Sequence, residues 1–254
     1  MAVDRQLTIQ AVDRALAVLL LFAEPPVASG DGRGLGVTQI AERLNLAKST
    51  AHRILSTLEA RGFLRQDPAT GRYHLGLKAL ELAGAYLAQS DLPTVAYPEM
   101  VHLRDEVEET VSLYVRDRGD RVRVQKAEGR HGVRRVVGLG QRLPLHLGAS
   151  GKVLLAFTPE PERSRLLEAL ERQHGIDIIA FRQMLDKVRE QGYAVSAEER
   201  EQGVASVAAP IFDRSGQLVA ALAVSGPVQR FDEAAIVRYS QAVREAAHRI
   251  GVLL

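Results

Sequence analysis

The sequence predicts an α+β fold in two unequal parts joined by a helix, and three observations predict it. Before residue 76 the apolar spacing reads helix, helix, turn, helix, hairpin. At Ser90-Asp91-Leu92-Pro93 a helical stripe is interrupted. Beyond that break, alternating strands joined by hairpins are mixed with helices, which is the pattern of an antiparallel sheet flanked by helices. The expected boundaries are residues 1–75, a linker helix over 76–92, and a larger domain over 93–254.

The elements follow in order. Thr8 to Ala23 is predicted helical, with Ile9, Val12, Leu16, Leu19 and Leu20 on one buried face and Pro25-Pro26 as its stop. Gly30, Gly32 and Gly34 alternate in the next stretch, Ser29 to Gly36. No strand precedes it, and the spacing misses the dinucleotide and P-loop patterns, so it reads as a plain loop. Thr38 is placed to cap a helix over Gln39 to Leu44, and Asn45 tolerates the left-handed turn that follows. A helix from about Lys48 to Arg61 stops at Gly62. Phe63 to Gln66 and Arg72 to Leu75 form a hairpin around Asp67-Pro68-Ala69-Thr70-Gly71. That order is a winged helix-turn-helix. Gly76 to Gln89 is helical, with Leu77, Leu80, Gly84 and Leu87 on one stripe.

In the second part Val95 to Glu108 is predicted helical. Thr110 to Arg116 and Arg121 to Lys126 form a hairpin whose buried faces carry Val111, Leu113, Val115, Val122 and Val124. Thr158-Pro159 is placed as the cap and first residue of a helix. Helices near Glu160 to Gln173 and Arg182 to Gln191 precede strands at Tyr193 to Ser196, Val204 to Phe212 and Gln217 to Ser225. Asp232 caps a last helix.

Composition narrows the function. Apolar residues make up 46% and charged residues 25%, as in ordinary globular proteins, and the absence of cysteine excludes disulfides and thiolate metal sites. The first ten residues lack a signal-peptide pattern, and the apolar run Ala15 to Ala23 falls well short of the roughly 20 residues that span a bilayer. A soluble, cytoplasmic protein with no membrane partner is expected. Net charge is only +2, yet Val37 to Lys78 holds 7 basic residues against 3 acidic ones, where phosphate contacts would be needed.

The sharpest chemical signal is Ala47 to Leu58. At about 100° per residue, Ala51, Ile54, Leu55 and Leu58 share one apolar face. Ser49, Arg53 and Ser56 point away from it, flanked by His52 and Thr57, with no carboxylate before Glu59. Hydroxyls, an imidazole and a guanidinium suit base edges and phosphates in a major groove. An ordinary amphipathic helix with a solvated face would show the same stripe; the turn before it, the hairpin after it and the local basic excess favour DNA. The predicted DNA-facing set is Thr38, Lys48, Ser49, Thr50, His52, Arg53, Ser56 and Arg72.

With these residues in place, the chain resembles the IclR family of transcription regulators along nearly its whole length. The resemblance rests on Ala11 to Leu16, Ile40-Ala41, Lys48 to Arg53 and Gly62 to Leu64. In the second part it rests on Leu143 to His146, Ser150 to Ala156, Gly192-Tyr193, Glu198 through Gly203 and Val207 to Asp213. It implies a GAF-like effector domain, a linker helix and homodimers or homotetramers; the basic ridge, carried by two recognition helices, leads to the expectation of a roughly palindromic double-stranded operator. Two features depart from the pattern: Ala47 stands where a Ser or Thr cap is usual, a loss of about 1 kcal/mol, and the glycine-rich loop is long.

Enzyme chemistry is a poor fit. Ser150, His146 and Glu199 supply the residue types of a triad, but Gly148-Ala149-Ser150-Gly151 lacks the nucleophile-elbow frame. Gly151-Lys152-Val153 is not a P-loop, and the scattered histidines match no metal motif. No cofactor or metal is expected. A sensor fits better. Leu147, Gly148, Ala149 and Ser150 offer small side chains and backbone donors at a helix start, where anions are favoured. The resemblance adds Ser196, Ser206, Ala223 and Ser225 to Ala149 and Ser150 as effector-site positions, and a small organic acid is the expected ligand. A second domain that only oligomerises is the competing expectation.

Overall fold

A computed structural model describes residues 9–24, 34–89, 91–129 and 138–254, and the chain divides into two compact units, Met1–Gln89 and Ser90–Leu254. The proposed stop at Pro25-Pro26 and most of the glycine-rich loop lie outside the described residues.

In the first unit, helix α1 (Gln10–Leu21) packs against α3 (Lys48–Ala60), and α2 (Val37–Arg43) packs on the same helix. The hairpin β1 (Leu64–Gln66) and β2 (Tyr73–Leu75) pairs Leu64 with Leu75, and Leu35 bridges to Tyr73 at its edge. The core is Val18, Leu21, Ile40, Leu55, Leu58, Leu64 and Tyr73. Asn45 turns the chain with φ of 50°, and Gly62 ends α3 with φ of 76°. Helix α4 (Leu77–Ala88) follows. This is a winged helix-turn-helix.

Two expectations for this unit are corrected. The buried side of α1 is Val18 and Leu21, whereas Ile9 is 72% and Leu20 66% exposed, with Val12 and Leu16 also exposed and Leu19 half-buried. The helix is apolar around most of its girth, so three-to-four spacing fits two stripes and cannot choose between them. Helix α2 begins at Val37, not Gln39. Its cap is Gly36, whose amide donates to the Gln39 side chain at 3.0 Å, leaving Thr38 exposed in the first turn.

The second unit is built on a six-stranded antiparallel sheet among the described residues, ordered β5-β4-β3-β8-β7-β6. The strands are β3 (Thr110–Asp117), β4 (Asp120–Ala127), β5 (Arg142–Pro144), β6 (Ala194–Ala197), β7 (Val204–Phe212) and β8 (Leu218–Pro227). Helices α5 (Asp91–Val107) and α9 (Glu233–Val252) cover one face through Met100, Leu103, Leu113, Ile211, Leu222 and Val243. Helices α6 (Ala149–Ala156), α7 (Glu162–His174) and α8 (Ile178–Gln191) cover the other, through Tyr114, Leu154, Leu167, Leu185, Ala208 and Ala221. Covering both faces buries consecutive residues of β3, from Val111 to Tyr114. The fold is therefore α+β.

The remaining differences are local. Helix α5 starts at Asp91, because Pro93 falls in its first turn, where a missing amide hydrogen costs nothing. Thr158 does not cap α7. Its hydroxyl donates back to the Leu154 carbonyl at 2.6 Å, and α7 begins only at Glu162. Asp232 does cap α9, accepting from the Ala235 amide at 2.8 Å. Strand β5 was not expected, since three residues are too few for a periodic signal.

Candidate functional site

Two places carry the candidate residues. On α3, Ala51, Leu55 and Leu58 are buried while Lys48, Ser49, His52, Arg53 and Ser56 are exposed and Thr50 is half-buried. The helix starts without a side-chain cap, because Ala47 offers no acceptor. Its exposed ridge thus carries only cationic, imidazole and hydroxyl groups over its first nine residues. Arg72 lies on the wing side, where its guanidinium donates to the Gly34 carbonyl at 3.0 Å. That contact ties the wing to the segment before α2 and leaves further N–H donors on the same fork.

The second place is a cleft between the sheet and the N-terminus of α6. Gly148, Ala149 and Ser150 line it from the helix side, and Ser196, Ser206, Ala223 and Ser225 from the strands. The register explains the grouping: Ser196 pairs with Ser206 and Ser206 with Ser225, so three hydroxyl-bearing positions stand in one row across β6, β7 and β8. Directly paired residues share a face of the sheet. Leu147 is not part of this lining. Its carbonyl instead accepts from the Arg121 guanidinium at 2.6 Å, which sets the turn into α6.

Sequence reasoning missed the cleft's charged wall. Arg121 and Arg123 on β4 are each 3% exposed, and both line the cleft with Tyr114. Arg121 also donates to the Pro144 carbonyl on β5. Arg123 donates to the Tyr114 hydroxyl from Nε at 3.1 Å and from Nη2 at 2.5 Å, and both guanidinium carbons lie over the Tyr114 ring, 5.6 and 5.2 Å from its centroid. Two guanidiniums held this deep give the cleft a positive wall. The close approach requires glycine. A Cβ on Gly148, whose φ is +81°, would meet Arg121 Nη2 at 2.9 Å, and one on Gly151 would meet the Leu145 carbonyl oxygen at 2.2 Å.

Three residues after β6 complete the rim: Glu199, Arg200 and Glu201. Glu199 accepts from the Gly148 amide at 3.0 Å and pairs with the Lys152 ammonium. His146 is absent from the lining and stacks on His174, with ring centroids 4.1 Å apart. No hydrogen bond links Ser150, His146 and Glu199 among the described residues, so the triad geometry is not assembled.

His146 has a consequence of its own. Burial, then the neighbouring His174 and Arg121, hold its imidazole below the ordinary histidine value, and its Nδ1 is buried without a partner. The unfolded chain then binds more protons than the folded one as pH falls below about 6.5, so stability drops in that range. His146→Gln is expected to flatten the loss of urea midpoint between about pH 6.5 and 5. Identical pH profiles for the two proteins would assign the acid sensitivity elsewhere.

Family comparison now decides what this pair of sites belongs to. The IclR helix-turn-helix domain matches residues 11–68, and the bacterial transcriptional regulator IclR C-terminal domain matches residues 84–252. The chain belongs to the IclR family. Among curated relatives, the glycerol operon regulatory protein of Streptomyces griseus is 38% identical over 245 residues, covering 94% of each chain. The HTH-type transcriptional regulator KdgR of Escherichia coli is 34% identical over 228 residues, covering 88% of this chain and 87% of its own. These relatives are regulators, not enzymes. Among solved structures, an IclR regulator from Alicyclobacillus acidocaldarius superposes with a TM-score of 0.79 at 28% identity, covering 96% of this chain and 98% of its own. An IclR homologue from Microbacterium hydrocarbonoxydans, solved with 4-hydroxybenzoate, gives 0.76 at 26% identity, covering 95% and 97%. The chain is accordingly a DNA-binding transcription regulator of the IclR type. No described helix is long and apolar enough to cross a membrane.

Proposed function

We propose that this regulator binds a roughly palindromic operator through α3 of two chains and that a small organic acid in the α6 cleft controls that binding. The residues before 76 serve DNA, the helix after them links, and residues 93–254 sense the effector and assemble the oligomer. The observation that carries the reading is the cleft itself: small and hydroxyl-bearing positions from three strands face a helix N-terminus, and the wall beside them holds two buried guanidiniums. Helix N-termini and guanidiniums both favour carboxylates. The Microbacterium homologue, which carries a benzoate-type acid, supports the same ligand class. A thermal-shift screen of organic acids, followed by operator titrations with each hit, tests the reading. Acids that stabilise the protein and shift its operator affinity are the expected result; neutral compounds alone among the hits would overturn the acid assignment.

The DNA half has its own test. A random-duplex selection should enrich an inverted repeat. On that site Arg53→Ala should cost about 1–3 kcal/mol and relax specificity, whereas Lys48→Ala should weaken all sequences alike and lower the salt dependence. Enrichment of no duplex motif would end the claim.

A further inference from the structure

The position offered to an external carboxylate already holds one from the chain. The first amides of α6 have no partner within the helix, and its N-terminus favours negative charge. The Glu199 side chain sits there, accepting from Gly148 N at 3.0 Å and pairing with Lys152, whose side chain is only 12% exposed. Lys152 is further held by the Val195 carbonyl at 3.2 Å. The space left at the centre of the cleft is about 40 Å³, enough for water, against roughly 300 Å³ or more for an ordinary small-molecule site. A metabolite therefore has to move something out of the way.

What moves is indicated by the loop between β6 and β7. Glu199, Arg200 and Glu201 all line the cleft from this loop. Arg200 Nη2 is buried without a hydrogen bond, and its contact with the Glu201 carboxylate is long, at 3.6 Å. The loop thus places one carboxylate on the helix entrance and an under-satisfied guanidinium beside it.

We propose that Glu199 is an internal competitor for the effector: its carboxylate holds the α6 entrance and Lys152 until an external carboxylate displaces it. The inference rests on the cleft being the effector site. The exchange is balanced in charge, since one carboxylate leaves as another arrives and neither Lys152 nor the helix end loses its counter-charge. A neutral ligand cannot make that trade without stranding the buried ammonium, so the competitor also selects for acids. Because Glu199 shares its loop with Arg200 and Glu201, displacing it repositions the β6–β7 connection, and that is how occupancy of the cleft is felt outside it.

The test uses the full-length protein and four probes: acetate and 4-hydroxybenzoate, with acetamide and 4-hydroxybenzamide as their uncharged counterparts. Affinities are measured by calorimetry for wild type, Glu199→Gln and Glu199→Ala. Glu199→Gln keeps an acceptor for Gly148 and preserves the turn. If Glu199 closes the site nine-tenths of the time, both variants should bind the acids about tenfold more tightly, because apparent affinity scales with the open fraction. The amides should gain much less. Unchanged or weaker acid binding in both variants would overturn the competitor role and leave the effector site standing. Equal gains for acids and amides would also overturn it, as that marks a loosened loop rather than a displaced charge. If no protein, variant or wild type, binds either acid, the effector-site reading falls and this inference with it.

Discussion

Glutamate at both Leu16 and Leu80 is expected to leave the chain folded, reduce it to single copies and weaken operator binding by about a hundredfold or more. Leu16 lies on α1 beside Ile9, Val12 and Leu20, all more than half exposed, and Leu80 lies on α4 beside the likewise exposed Leu77. Apolar stripes this extensive, uncovered among the described residues, suit a contact surface, and a second copy is the occupant that the palindromic operator proposed above would require. Neither leucine belongs to the core of the first unit, so the substitutions remove no buried packing. Placed in a seam between copies they would bury unpaired charge. Single recognition helices would then bind half-sites one at a time, without the gain from linking two. Sedimentation velocity and circular dichroism read the two halves of this outcome. An unchanged sedimentation coefficient would remove these helices from the subunit contact.

That surface shows where sequence reading ran out. The apolar stripe on α1 was legible, and its direction was not, because periodicity identifies a face without saying whether the same chain or another one covers it. On the α4 stripe the side chain of Leu87 lies outside what the structure describes. Hairpins were the most legible elements. Strands β3 and β4 join at Asp117-Arg118-Gly119-Asp120, where turn chemistry and alternation agree.

The cleft divides differently. Its serines entered through resemblance; spacing alone had no means of bringing residues 196, 206 and 225 side by side, since that follows from strand register. The arginines were hidden by the strand pattern. Val122 and Val124 alternate like a buried face, which made Arg121 and Arg123 look like its solvated back. Helices on both sides of the sheet bury that back as well, with Tyr114 and the carbonyls of Pro144 and Leu147 receiving the guanidiniums. A signal existed in the Leu143 to Gly151 stretch, whose glycines at 148 and 151 permit close backbone approach, but nothing in the sequence says what approaches.

Ala149→Leu and Ser225→Leu are expected to abolish the effector response while leaving operator binding intact. Ala149 is 1% exposed at the first turn of α6, and Ser225 faces the same space from β8, so each leucine extends into a cleft with about 40 Å³ free. Overpacking should cost about 1–3 kcal/mol, too little to unfold most domains yet enough to lower the melting temperature. Ser225→Ala separates bulk from chemistry: it removes one hydroxyl and keeps the space, so effector affinity should fall by roughly tenfold or less, in line with one hydrogen bond. Operator titrations with and without the effector, run on all three variants, give the comparison. The residues of α3 are untouched, so affinity without effector should match wild type. If both leucine variants still respond fully, the effector binds elsewhere and the cleft is a structural feature of the sheet. If they lose operator binding as well as the response, the cleft supports the DNA-competent arrangement even when empty, and the effector acts by releasing it.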